Sequence, residues 1–151
     1  MFLSVTRLRV RSLHYLPAFL WMTLRAQRQS VGAPGFGGGR LLVDRRSTYW
    51  TLTAWEDEKA MKAFRGSGAH VRVMPKLIEW CDEAAYAHWT TADHSIPEWT
   101  EAWEHLVSEG RMSQVSHPSP DHESRRFSKP RLQPLIERKL RPAARSGTSA
   151  L

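Results

Sequence analysis

The sequence predicts an α+β fold of ferredoxin-like type: one antiparallel sheet with helices packed on one face, followed by a largely disordered basic C-terminal tail. Two observations predict the sheet and its helices. Short β-rich runs alternate with segments of helical period in the order strand, helix, strand, strand, helix, strand, helix. The 151 residues, 41% hydrophobic and 25% charged, suit one globular domain and exclude full disorder or a membrane bundle. A third observation sets the tail apart. Residues 1–117 carry 14 Lys and Arg against 12 Asp and Glu, whereas residues 118–151 carry 8 against 3 and five of the nine prolines. The expected organisation is a folded unit over 1–117 and a Pro/Arg-rich tail over 118–151, with one helical turn near 132–140.

Phe2 to Arg11 reads as the first strand, with Phe2, Leu8 and Val10 on one side and Leu3 and Val5 on the other. Ser12 is placed to cap a helix in which Leu16, Leu20 and Leu24 recur every four residues, and Pro17 is tolerated in its first turn. The glycines between Gly32 and Gly39 end that helix and predict a turn or bulge. Arg40–Asp44 and Thr48–Trp55 predict an antiparallel hairpin. Its second strand sets Tyr49, Thr51, Thr53 and Trp55 on one face and Trp50, Leu52 and Ala54 on the other. Large apolar groups on both faces require cover on both sides. Helices shelter one face, and a second copy of the chain is expected to shelter the other in an isologous homodimer.

Glu56 and Asp57 suit a helix start, with Ala60, Met61 and Phe64 on the apolar side. Gly66-Ser67-Gly68 interrupts it. A further helix from Ala69 carries Val71, Met74, Leu77, Ile78 and Cys81 as one stripe, with Pro75 marking a kink or a new first turn. Ala84–Trp89 reads as a short strand. Ser95 with Glu98 reads as a capping box for a helix bearing Trp99, Ala102, Trp103 and Leu106, and Arg111–Ser116 as an edge strand.

A single cysteine, Cys81, excludes an intramolecular disulfide and suits a reducing cytoplasm. The apolar run Leu13–Leu24 is broken by His14 and Pro17 and falls short of the roughly 20 residues that span a bilayer, so no membrane span is expected. His88 with His94, and His117 with His122, lack a third ligand at zinc spacing. The glycines of Gly37-Gly38-Gly39 precede a strand rather than a helix, unlike a dinucleotide loop. The basic tail binds anions loosely and does not by itself make nucleic acid the expected partner.

The segment Tyr49-Trp50-Thr51-Leu52-Thr53-Ala54-Trp55-Glu56-Asp57-Glu58, followed by Ala60-Met61, Ala63-Phe64 and Ser67-Gly68-Ala69-His70, resembles the dimeric α/β-barrel superfamily of antibiotic-biosynthesis and haem-degrading monooxygenases. With Met74-Pro75 and Trp80-Cys81-Asp82-Glu83-Ala84, it is similar within that group to spheroidene-monooxygenase-like proteins. The resemblance implies a dimeric barrel and a monooxygenase-like activity. In the haem-degrading members the ligating His follows the Ser by about seven residues, a position held here by Met74, while the pocket Trp matches Phe64. His70 lies one helical turn earlier on the same face.

The expected function is oxygen insertion into an aromatic, carotenoid-like or porphyrin ligand held in an apolar pocket between sheet and helices. His70 is the candidate catalytic residue and haem-iron ligand, and Trp50, Trp55, Phe64 and Met74 are the candidate ligand-binding residues. Haem and cofactor-free oxidation of an electron-rich substrate are both open on the residues alone. The alternative is a non-catalytic ligand-binding or interaction module on the same barrel, with its pocket filled by tryptophan.

Overall fold

The alternating residues Phe2–Val10 form the central strand β1, and the rest of the sheet is ordered about it. In the computed structural model, which describes residues 1–131 and 137–144, five further strands follow. They are β2 (Phe36–Asp44), β3 (Thr48–Trp55), β4 (Cys81–Thr90), β5 (Arg111–Met112) and β6 (Glu137–Leu140). The six strands pair antiparallel in the order β5-β4-β1-β3-β2-β6. Phe2 pairs with Trp55 and Thr90 at one end of β1, and Arg9 with Thr48 and Glu83 at the other. The helices are α1 (Leu16–Val31), α2 (Glu58–Arg65), α3 (Gly68–Trp80), α4 (Trp99–Glu109) and the single turn α5 (Pro120–Glu123). No helix among the described residues is long and apolar enough to cross a membrane.

The ferredoxin-like helices α1, α2 and α3 lie on one face, over the even-numbered positions of β1. On the other face, Leu3, Val5, Trp50, Leu52, Ala54, Ala85, Ala87 and Trp89 pack with Trp99, Ala102 and Leu106 of α4. Trp50 and Trp99 meet edge to face at 6.5 Å. The face for which the sequence called on a second copy is therefore sheltered within the chain, by α4 and by Phe127 beyond it.

Local chemistry explains where the elements depart from expectation. β2 begins at Phe36 rather than Arg40, because the glycine run joins the strand through a bulge between Phe36 and Gly38, where Gly38 adopts φ +135°. Ser12 makes no cap bond to the backbone. Its hydroxyl meets Nδ1 of His14, and a 3-10 turn over Leu13–Tyr15 leads into α1. The cap of α4 is Glu98 rather than Ser95, since Pro97 keeps Ile96 out of helical geometry. Cys81 opens β4 instead of closing the α3 stripe, and the last sequence-expected strand shrinks to Arg111–Met112. The tail contributes structure: α5, and β6 paired to β2 with Leu140 buried. Of the helical turn expected near 132–140, residues 132–136 lie outside the described residues and 137–140 are a strand.

Charges lock α5 to the sheet. Arg7 Nη1 donates to Glu83 Oε2 at 2.5 Å across the β1–β4 pair, with both side chains almost fully buried. Ser119 Oγ donates to Glu83 Oε1 at 2.8 Å while accepting from the His122 backbone N–H at 3.0 Å. Arg9 grips Asp82 with two bonds, 2.9 and 2.7 Å. That pair, more than its cost of desolvation, raises the Arg9 guanidinium above its ordinary pKa. Removing one partner of a buried pair strands the other charge. Glu83→Ala is expected to cost about 3–5 kcal/mol in urea unfolding, and the joint change Arg7→Met with Glu83→Leu distinctly less. Equal losses would show that the pair itself is not the source of the penalty.

Candidate functional site

The middle helix-facing positions of the two central strands are small and hydroxylated: Ser4 and Thr6 on β1, Thr51 and Thr53 on β3. Helices resting on such a layer cannot fill the space beneath them. A cavity of about 580 Å³ results, within the usual range for small-molecule sites. Its roof comes from Thr23, Ala26 and Gln27 of α1 and from Val73, Leu77 and Ile78 of α3. A larger cleft of about 680 Å³, between the Val31–Gly37 loop and Pro142–Ala144, opens more widely to solvent and gathers fewer chemically active side chains.

At one end of the cavity stands an aromatic ladder. Trp55 stacks on Phe64 at 5.0 Å, and Phe64 meets the His70 ring at 4.7 Å. Trp55 is held in turn by its indole N–H, which donates to Thr53 Oγ1 at 3.0 Å. His88 faces the same space, 5.1 Å from the Tyr86 ring and 5.5 Å from Phe2. Among the described residues Arg65 is the cationic side chain in the lining, and no carboxylate shares it.

His70 is placed by a junction of three helices. Gln29 of α1 donates through Nε2 to the Phe64 and Ser67 carbonyls, at 3.2 and 2.9 Å, and its Oε1 accepts the His70 backbone N–H at 2.9 Å. Gly68 makes the junction possible twice over. Its φ is +57°, and a Cβ there would stand 2.7 Å from the Gln29 side chain. The His70 ring then sets Nδ1 3.2 Å from the Arg65 carbonyl oxygen. A carbonyl only accepts, so Nδ1 carries the proton and the neutral ring keeps its lone pair on Nε2. Burial first, and the Arg65 charge second, hold His70 below its ordinary pKa, against the pull of that hydrogen bond. Burial and then Arg65 do the same for His88, with Glu58 opposing.

Of the residues singled out from sequence, His70, Trp55, Phe64 and Met74 line this one cavity. Trp50 does not. Strand alternation carries it to the opposite face, where it is buried beside Trp99 and beneath the Arg7 guanidinium. Sequence reasoning did not place His88, Tyr86, Arg65 or the hydroxyl row of Ser4, Thr6, Thr51 and Thr53 in a binding site. Their signal was present in the alternation of Ser and Thr against large apolar residues along two strands. Cys81 offers no nucleophile, since burial pushes its thiol up to about 12. Among the described residues, no three His, Cys, Asp or Glu side chains stand together as a metal set.

Two outcomes follow from this geometry. Unfolded histidines titrate near 6.5. Between that value and the lower folded values of His70 and His88, the unfolded chain holds more protons, so stability falls as pH drops through this window. Denaturation curves from pH 8 to 5 are expected to show that fall, and His70→Phe with His88→Phe to flatten it. Gly68→Ala is expected to cost about 1–3 kcal/mol from its positive φ. In the same variant the His70 titration, followed by NMR, should move toward 6.5; an unmoved midpoint would detach the junction from the ring.

Comparison with known proteins agrees with this architecture. Residues 11–114 match the family described as domain of unknown function DUF3291. None of the curated proteins matches the chain. Among solved structures it is similar to a putative antibiotic biosynthesis monooxygenase from Nitrosomonas europaea, with 16% identity over 62% of this chain and 100% of that one, TM-score 0.53. It is also similar to SnoaB, a cofactor-independent oxygenase from Streptomyces nogalater, with 19% identity over 64% and 97% of the two chains, TM-score 0.52. Rv0793 from Mycobacterium tuberculosis matches at 13% identity over 61% and 95%, TM-score 0.55. At these identities the likeness is one of fold, and it is the antibiotic-biosynthesis-monooxygenase-like fold that the sequence resembled. None of the three carries the narrower likeness to spheroidene-monooxygenase-like proteins.

Proposed function

The chain belongs to the DUF3291 family, and we propose that it binds a flat, largely apolar ring system in the cavity between sheet and helices and supports its oxidation in a monooxygenase-like reaction. One observation carries this reading: an aromatic ladder of Trp55 and Phe64 ends at a neutral imidazole whose lone pair lies on Nε2. The ladder would grip a ring by stacking. Arg65 would face an acidic or phenolic substituent, and His70 Nε2 would accept the proton of a substrate hydroxyl. A substrate made electron-rich in this way can react with oxygen without a cofactor; an activated methylene and O₂ then become a carbonyl and water.

The residues also offer one point of attachment for an iron porphyrin. His70 would hold the iron through Nε2, its Nδ1–H fixed by the Arg65 carbonyl, while Arg65 would meet one acidic arm. Bound haem would supply oxygen activation at the iron. The rival module without an active site called for a pocket filled by tryptophan. Trp55 is the one tryptophan in the lining, which favours an open binding space over a filled one.

The test is oxygen uptake by the native protein and by His70→Ala with an electron-rich tricyclic phenol bearing an activated methylene, run with and without haemin. The expected result is native turnover, with a loss of about 10²–10⁴-fold in kcat/KM on removing the imidazole. A Soret band that shifts between native protein and variant would assign the haem-dependent route. Ring binding without any oxygen uptake would leave the non-catalytic module standing, and neither binding nor uptake would end both.

A further inference from the structure

The helical layer above the cavity carries an unusual surface. Large apolar side chains stand out from it: Leu13 is 75% exposed, Trp21 58%, Leu20 48%, Val71 43% and Met74 40%. Isolated exposed apolar residues are ordinary, but these sit on α1, the 3-10 turn that leads into it, and α3, and the two helices pack side by side and antiparallel. Gln29 near the end of α1 meets Ser67 and His70 at the start of α3, while Tyr15 before α1 stacks on Trp80 at the end of α3, 6.2 Å apart. Trp21 on α1 is thereby level with the C-terminal half of α3.

On α1 and α3 the charge is positive but for Glu79. No Asp or Glu occurs between Met1 and Val43, or between Lys59 and Ile78. The exposed turns of α1 and α3 present Arg25, Arg28, Arg72 and Lys76 among the apolar groups. Glu79, the acid of α3, is engaged by Arg11 and Tyr15.

We propose that the outer face of α1 and α3 docks on an anionic membrane surface, with Trp21 and Leu20 entering the headgroup boundary and the four cations facing lipid phosphates. An exposed Trp and Leu set among the cations of two helices whose one acid, Glu79, is engaged by Arg11 is the pattern of interfacial binding. Other occupants fit less well. A second copy meeting this face about a two-fold axis would set its own cations against themselves, and the basic tail carries the same sign. A nucleic-acid backbone would leave Leu13, Leu20 and Trp21 without a partner. Met74 and Pro75 both line the cavity and reach the surface, so an apolar molecule dissolved in the bilayer meets the cavity from this side. The docking surface stands on exposure and charge, independently of the reaction inferred for the cavity.

The experiment is cosedimentation of the full chain with vesicles of phosphatidylcholine alone and of phosphatidylcholine mixed with phosphatidylglycerol. Binding is expected only to the phosphatidylglycerol vesicles and is expected to weaken as salt rises. Reversing Arg72 and Lys76 to Glu should weaken it by at least about fivefold for each cation, and Trp21→Ser should weaken it while leaving the circular dichroism spectrum unchanged. Reversing Arg131 and Lys139, two exposed cations of the tail, is the charge-matched control and should weaken it less. Binding that both reversals reduce equally would overturn the proposal, because the charge would then be acting without a site. It falls equally if the vesicles do not bind, or if light scattering shows a dimer that Trp21→Ser abolishes.

Discussion

The structure depends on an inequality between the two faces of its central strands. Along β1 and β3 the side chains alternate, and one set is large and apolar: Leu3, Val5, Trp50 and Leu52, each at most 1% exposed. That set can be packed to interior density, and α4 does so with Trp99, Ala102 and Leu106. The middle of the other set is Ser4, Thr6, Thr51 and Thr53, which are too short to reach the helices across the roughly 10 Å that separate packed layers. One face therefore makes a solid core and the other makes a room. The strand period decides both at once, and a slip of one residue in register would exchange them.

The solid side also carries the charges that bind the tail. Arg7, Arg9, Asp82 and Glu83 come from β1 and β4, and Glu83 reaches Ser119 at the cap of α5. A second set acts at the opposite edge, where Arg40 of β2 meets Glu98 before α4 and Glu137 of β6, and the Trp99 indole N–H donates to the same Glu137 carboxylate at 3.2 Å. Polar contacts thus tie α4 and the later segments to the sheet from both ends of that face. The cavity side is held differently, by the Gln29 junction and by aromatic contacts.

Much of this was legible in the chain. The hairpin, its two faces, the helix start at Asp57, whose carboxylate accepts the Ala60 N–H, and the break at Gly66-Ser67-Gly68 follow from local chemistry that no distant contact overrides. What escaped depends on contacts between distant segments. Nothing near Glu137–Leu140 announces a strand, because its partner Gly39–Leu42 lies about a hundred residues away and supplies its ladder bonds. The need for cover over Trp50 was legible and the part α4 takes in it was not, since the periodicity of Trp99, Ala102 and Leu106 shows an apolar helix face without saying which sheet face receives it. Trp50 was grouped with Trp55 by residue type, although strand alternation separates them. His88 was weighed only for metal spacing, and its role in the lining appears once β4 is set beside β1.

The state of His70 ties the fold to the chemistry. It sits in the first turn of α3, where the exposed backbone N–H groups carry partial positive charge and disfavour a protonated ring. Burial and the nearby Arg65 guanidinium act in the same direction, and the Arg65 carbonyl fixes the remaining proton on Nδ1. Helix position, burial and charge thus converge on a neutral base rather than a cation. A protonated imidazole beside Arg65 would have made this end of the cavity a site for a doubly charged anion. The neutral ring makes it a place where one proton can be taken from a ligand whose other faces lie against Trp55 and Phe64. That requirement comes from residues on three separate helices, and Gly68 alone permits them to meet.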